Sequence, residues 1–410
     1  MENRLQEYAR LVVEVGVNVQ KGQNLIIAAP VECADFARLC AKAAYAAGCR
    51  EVIMSWRDDV LTREKYLHAA EDVFDTVPEW VRHFYNGYAE EGAAYLAISA
   101  TDPENLKGVA SDRIVRNQRA SSEALKPFNR LQMQNSFPWC IVSIPIPSWA
   151  QRVFPGCGDA MDRLWDAIFA AVRITGDGSA VESWRSHLDL LHRRKDKLNA
   201  LRLRSLHYQN SLGTDLTIRL PENHLWAAGD SDTPRGQRFI ANMPTEEIFT
   251  APLRDGIDGV VCASVPLCHD GNVIEGLRFV VKEGKIVEAS ARQGEETLKA
   301  AITVDEGASF FGEVALVPYD SPISNQHLLF YNTLFDENAA CHLAFGEAYP
   351  ECVEGGAEMT KEQLKAAGLN DSITHVDFMI GTPDLSITGT TRDGREVPIF
   401  IGGNFAPSFS

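Results

Sequence analysis

Residues 3–16 place Leu5, Ala9, Leu11, Val12 and Val15 at helical spacing among polar neighbours. NLIIAAP, at 24–30, is a short unbroken apolar run of the kind a buried strand makes. DFARLCAKAAYAAG, at 35–48, is alanine-rich and closes on a glycine, which predicts a helix and its stop. CREVIMSW, at 49–56, reads as the next strand. Strand, helix and strand at this spacing form a βαβ unit, and hence a parallel sheet. AAYLAISA at 93–100 and WCIVSIPIPSWA at 139–150 predict two further strands. DAMDRLWDAIFAAVRI, after the glycines near 156–158, predicts another helix.

The texture then changes. Residues 181–205 are basic and read as a linking helix with a solvated face. LHYQNSLGTDLTIRLPEN alternates and turns, and GLRFVVKEGKIVEASA does the same around KEGK, a good hairpin turn. The expectation is an α/β N-terminal domain with a parallel sheet over 1–190 and an α+β C-terminal domain over 191–410, the break falling between 180 and 205. The first strand is followed by no GxGxxG and no Walker lysine, so the parallel sheet carries no nucleotide signature.

Composition narrows the class. The 410 residues are 45% hydrophobic and 23% charged, ordinary for a globular protein. A formal charge of −17 argues against nonspecific binding to nucleic acid or to an anionic membrane surface. No apolar window reaches the roughly 18 residues of a membrane span, and MENRLQEYARLVVEVG lacks the form of a signal peptide. Nine cysteines at irregular spacing, without a CxxC, fit a reducing compartment better than a disulfide framework. The expected location is therefore the cytoplasm.

The chemistry lies in the last 170 or so residues, where acids and histidines sit among apolar neighbours. Glu246 and Glu247 occur in ANMPTEEIFTAP, Glu313 in FFGEVALVP, His342 in NAACHLAFGEAYP, and His375 with Asp377 in SITHVDFMIGTPDLS. A charged group in apolar sequence needs a partner, and a metal is one that several carboxylates can share. In a strand, residues two apart face the same way, so His375 and Asp377 would reach one point. The bland alternatives are a core His–Asp pair, a turn cap at Glu313, and a helix capped by Thr245 with both glutamates in its first turn. Spacing alone does not choose between Glu246 and Glu247. Three carboxylates and two imidazoles suit zinc, cobalt or manganese, and two ions roughly 3.5–4 Å apart are a known arrangement for hydrolysis. There is no HExxH and no GxSxG. Cys341, beside His342, reads as a core residue.

NMPTEEIFTAP (242–252), EGLRFVVKEGKIV (275–287), FFGEVALVP (310–318), NTLFDENAACHLAFGEAYP (332–350) and HVDFMIGTPDLSITG (375–389) closely resemble the M29 family of metallo-aminopeptidases, the aminopeptidase T and S group. The resemblance extends over essentially the whole chain. It implies metal ligation by Glu247, Glu313, His342, His375 and Asp377, with Tyr349 near the metals. It also implies a cytoplasmic homodimer that holds two divalent ions (zinc, cobalt or magnesium, with manganese allowed by the donor set above) and removes N-terminal residues from peptides. One departure is SITG, where the family commonly has further acidic residues; it puts Ser386 and Thr388 there.

The expected mechanism uses a bridging water activated by the ions, with Glu313 as the bridging carboxylate and Tyr349 donating to the developing oxyanion. Glu246 is the sequence candidate for general base, and a solvated or amine-binding role is equally compatible. Glu347 and Asp336 are candidates for holding the substrate α-amine, with turn capping as the alternative. Two other readings stay open: a metal-dependent hydrolase of dipeptides or amino-acid amides, and a noncatalytic, metal-stabilised peptide-binding protein.

Overall fold

The computed structural model describes residues 1–100, 102, 105–269 and 272–409. NLIIAAP forms strand Asn24–Pro30, buried along nearly all its length. It pairs in parallel with Glu51–Arg57 on one side and Ala94–Ser99 on the other. Trp139–Ser143 extends the sheet, again in parallel. Parallel neighbours cannot be joined by a tight hairpin, so the connections carry helices such as Ala34–Ala46 and Glu79–Glu91. The strand predicted over 139–150 stops early. Ser143 ends it, and Pro147–Val153 is a helix. Pro145 and Pro147 explain the change, because proline gives no N–H to a ladder yet fits the first turn of a helix.

The fifth strand of this sheet comes from far along the chain: Asn242–Met243 pairs in parallel with Trp139–Ser143. The compact units are accordingly Met1–Arg185 with Asp230–Pro244, and Ser186–Gly229 with Thr245–Ser410. The long basic segment is helix Ala180–Leu201, whose residues from Ser186 onward belong to the second unit. Among the described residues, no helix is long and apolar enough to cross a membrane.

Among its described residues, the second unit has a small two-stranded sheet, Leu267–His269 with Asn272–Ile274, and two large antiparallel ones. One has eight strands, running in order from Lys285–Ser290 at one edge to Asn404–Phe405 at the other. Its KEGK turn places Glu283 and Gly284 at φ 47° and 77°, the left-handed pair that a two-residue hairpin demands. Ser386 and Thr388 lie in this sheet, on strand Ser386–Thr391. The other sheet has five strands, in the order His375–Met379, His342–Gly346, Phe311–Leu316, Ile248–Thr250 and Ala227–Ala228. Both contribute to one hydrophobic core. Phe279 of the larger sheet meets Phe378, Phe345 and Phe311 of the smaller one edge-on, with ring centroids 5.4, 6.0 and 6.4 Å away.

Candidate metal centre

The five-stranded sheet explains why acids sit in apolar sequence. Side chains alternate across a sheet, and one face here is core. Ile248, Phe311, Val314, Leu316, Leu343, Phe345, Val376 and Phe378 all pack into it. The register puts the other residues on the opposite face. Ala344 stands between Glu313 on one neighbouring strand and Asp377 on the other. His342 lies beside Ala315, and His375 beside Gly346. A row of small residues, Ala315, Ala344 and Gly346, thus floors a site walled by acids and imidazoles. Strand Phe311–Leu316 is buried on both faces, which is why its sequence shows no polar alternation to mark Glu313.

Two groups of potential ligand atoms result: Glu247, Glu313 and His342, and Glu313, His375 and Asp377, with the atoms of each group within 4.8 Å of one another. Glu313 belongs to both. Its Oε1 is 3.7 Å from Nε2 of His342, and its Oε2 is 3.2 Å from Nε2 of His375. Glu247 Oε2 lies 3.4 Å from His342 Nε2, and Asp377 Oδ1 lies 3.3 Å from His375 Nε2. The far nitrogens face backbone carbonyls: His342 Nδ1 is 3.1 Å from Ala340 O, and His375 Nδ1 is 2.8 Å from Glu347 O. A carbonyl can only accept, so Nδ1 carries the proton and Nε2 can offer its lone pair to a cation.

The electrostatics are those of a site built for positive charge. Burial pushes the Glu313 carboxyl up, but hydrogen bonds with His342 and His375 outweigh it and hold the group down at about 2. Glu247 is raised by burial, against the pull of His342. Burial lowers both imidazoles, yet Glu247 and Glu313 around His342, and Tyr349, Asp377 and Glu313 around His375, lift them well above the ordinary histidine value. Glu337 was not singled out from the sequence. Burial raises its carboxyl strongly, and the charges of Asp377 and Glu247 raise it further, so it stands against both groups. Its only signal in sequence was an acid five residues before His342. Mixed carboxylate and imidazole donors, closely set and sharing one carboxylate, fit two divalent cations.

The other candidates divide. Tyr349 is with the cluster, its ring centroid 5.0 Å from that of His375 and 5.8 Å from that of Phe249. His375 pulls its phenol down, but burial and the carboxylates prevail and push it up, so Tyr349 stays a hydrogen-bond donor. Thr245 caps no helix. Residues 245–247 run without helical structure into strand Ile248–Thr250. Glu246 is buried, belongs to neither ligand group, and has Oε2 3.6 Å from Nε2 of His187. Asp336 is a turn cap that accepts the N–H groups of Phe330 at 2.8 Å and Asn332 at 3.0 Å, and burial pushes it up to about 7. Glu347 Oε2 accepts the N–H of Ser372 at 2.5 Å. Cys341 is in the core, its thiol donating to Val317 O at 3.2 Å.

A parallel-sheet unit followed by an antiparallel unit that holds paired ligand groups around a shared carboxylate defines a metallohydrolase of the two-ion type. The model of the family described as thermophilic metalloprotease (M29) matches residues 1–405, and the chain belongs to that family. It is 46% identical over 405 residues to aminopeptidase AmpS of Bacillus subtilis (strain 168), covering 98% of each chain. It is 46% identical over 407 residues to aminopeptidase 2 of Geobacillus stearothermophilus, covering 99% of this chain and 98% of that one. Among solved structures, wild-type AmpT from Thermus thermophilus matches with a TM-score of 0.92 at 40% identity, covering 99% of each chain.

Proposed function

We propose that Glu247, Glu313, His342, His375 and Asp377 hold the two divalent ions of this metallo-aminopeptidase, and that Glu337 adds a sixth donor. The chain hydrolyses the N-terminal peptide bond of peptides. The observation that carries this reading is the division of Glu313, whose two oxygens face two different imidazoles. The ions, when bound, would polarise the substrate carbonyl and make hydroxide available near neutral pH. The protein's own groups do the rest. Glu247 and His342 define one pole of the site, His375 and Asp377 the other, and Glu313 fixes the spacing between them. Tyr349, kept protonated, donates a hydrogen bond to the oxygen that gains charge as the carbonyl becomes tetrahedral. The Phe249–Tyr349 contact holds the phenol in place.

Mixed nitrogen and oxygen donors favour zinc or cobalt over magnesium, which prefers oxygen and water. We infer a cytoplasmic homodimer acting on peptides with a free N-terminus, without a nucleic-acid partner; the charge of −17 supports the last point. The test is metal analysis joined to activity after chelation and readdition. Two equivalents per chain, with restored release of N-terminal residues, are expected. Equally fast cleavage of N-acetylated peptides would sink the aminopeptidase reading and favour a hydrolase of other amide bonds.

A further inference from the structure

We propose that Asn338 is a positioning residue of the metal centre, its buried amide tying the segment that carries Glu247 to the one that carries Glu337. The inference rests on the metal-centre reading above. Asn338 has 0% exposure. Its Oδ1 accepts the backbone N–H of Glu246 at 2.9 Å. Its Nδ2 donates to Leu334 O at 3.0 Å and reaches Glu337 Oε1 at 3.4 Å. One planar group therefore touches the backbone beside one ligand and the carboxylate of another.

The Glu247 segment is held from a second direction. His187, on helix Ala180–Leu201, places Nε2 2.8 Å from Thr245 O and 3.6 Å from Glu246 Oε2. Glu246 faces His187 while Glu247 faces His342. Holding Glu246 towards His187 therefore keeps its neighbour directed at His342. This gives the buried Glu246 a function outside the chemistry: it anchors the segment while its neighbour ligates.

Asparagine suits the place because it accepts and donates at once. Ionised aspartate keeps the shape and the acceptor but loses the donor facing Leu334 O and Glu337. Leucine keeps the bulk and loses both. The donor matters because the carboxylate it reaches is that of Glu337, the proposed sixth donor. Outer hydrogen bonds of this kind typically set metal affinity by 10–100-fold.

The test is titration of the chelated full-length protein with Co²⁺, followed by its d–d absorption, in wild type, Asn338→Asp, Asn338→Leu and a core control, Ile399→Ala. Ile399 is buried in the core and is no part of the metal centre. The two Asn338 variants should bind at least one Co²⁺ about 10–100-fold more weakly. The control should melt lower yet load like wild type. Simple charge attraction predicts the opposite sign for Asn338→Asp, since a new carboxylate near cations should tighten binding. Wild-type affinity in whichever Asn338 variant stays folded, or a loss in all three variants that follows melting temperature, overturns the proposal. A wild type that loads two Co²⁺ but leaves peptides intact would overturn the aminopeptidase reading instead, and these titrations would still decide the role of Asn338.

Discussion

The carbonyl oxygen of Glu347 passes so close to Gly312 that a β-carbon on Gly312 would lie 2.1 Å from it. That carbonyl also faces Nδ1 of His375. Gly312 falls where the register between strands Phe311–Leu316 and His342–Gly346 shifts, between Phe311 and Glu313. An irregularity of this kind re-aims the next side chain, here Glu313. The absence of a side chain at 312 thus bears on two of the proposed ligands at once. Gly312→Ala should destabilise the metal-free protein by about 1–3 kcal/mol, the usual cost of forcing a group into packed structure. Denaturant unfolding after chelation measures it. Wild-type stability and wild-type metal content together would show that the backbone yields freely there.

Replacing the shared carboxylate should affect both ions. Glu313→Gln keeps the shape but removes the charge that faces both His342 and His375. The expected result is fewer than two ions retained per chain and peptidase activity reduced by at least the ~100-fold that marks the upper range for lost outer-sphere partners. Asp377→Asn removes the carboxylate charge from one group only and should leave the Glu247–His342 pair able to load. Equilibrium dialysis with metal analysis separates the two variants. Equal loading in both would contradict a bridging role.

Much of the candidate site was legible in sequence, and the reason is local. His375 and Asp377 lie on one strand two residues apart, so period-2 geometry alone joins them. Glu313 and His342 were visible as polar residues in apolar runs, but only the register across Ala344 shows that they share a face with Asp377. Spacing left Glu246 and Glu247 open and the family resemblance chose Glu247; the path of residues 245–247 adds that Thr245 caps no helix and that Glu246 faces His187. Glu337 escaped because it belongs to a short helical turn, Glu337–Ala339, where an acid is unremarkable. In the parallel sheet the long apolar runs marked four strands. The fifth, Asn242–Met243, is two residues long and recruited from a distance, so no local pattern could mark it.

Metal uptake should release protons. The carboxylates around His342 and His375 raise both rings well above the ordinary value near 6.5, despite burial. In the metal-free protein, the stabilisation from these charged rings is fully present below the unfolded histidine pKa. It is lost as pH rises through the raised folded values. A ligating imidazole must be neutral at Nε2, so at neutral pH each ring gives up a proton as a cation enters. Glu337, which burial raises well above the ordinary carboxyl value, adds to the release. Apparent affinity should therefore climb with pH through the neutral range. Calorimetry at one pH in buffers of different ionisation heat measures the proton count. A binding heat independent of buffer would mean that the rings are already neutral.

Tyr349→Phe and Glu246→Gln should separate chemistry from support. The Tyr349 ring packs on His375 and Phe249, contacts that phenylalanine keeps. Only the hydroxyl is lost, so metal content should hold while kcat falls by roughly 10²–10³, as for removal of one oxyanion donor. Glu246 faces His187 instead of either ligand group. A general base would cost roughly 10²–10⁴ in rate when neutralised. A residue that orients its neighbour should instead weaken metal retention and leave kcat, at saturating metal, within about tenfold of wild type. The pH–rate profile decides between them. If Glu246→Gln abolished the acidic limb of kcat while metal loading stayed complete, Glu246 would regain the role of base, and its contact with His187 would have to break during turnover.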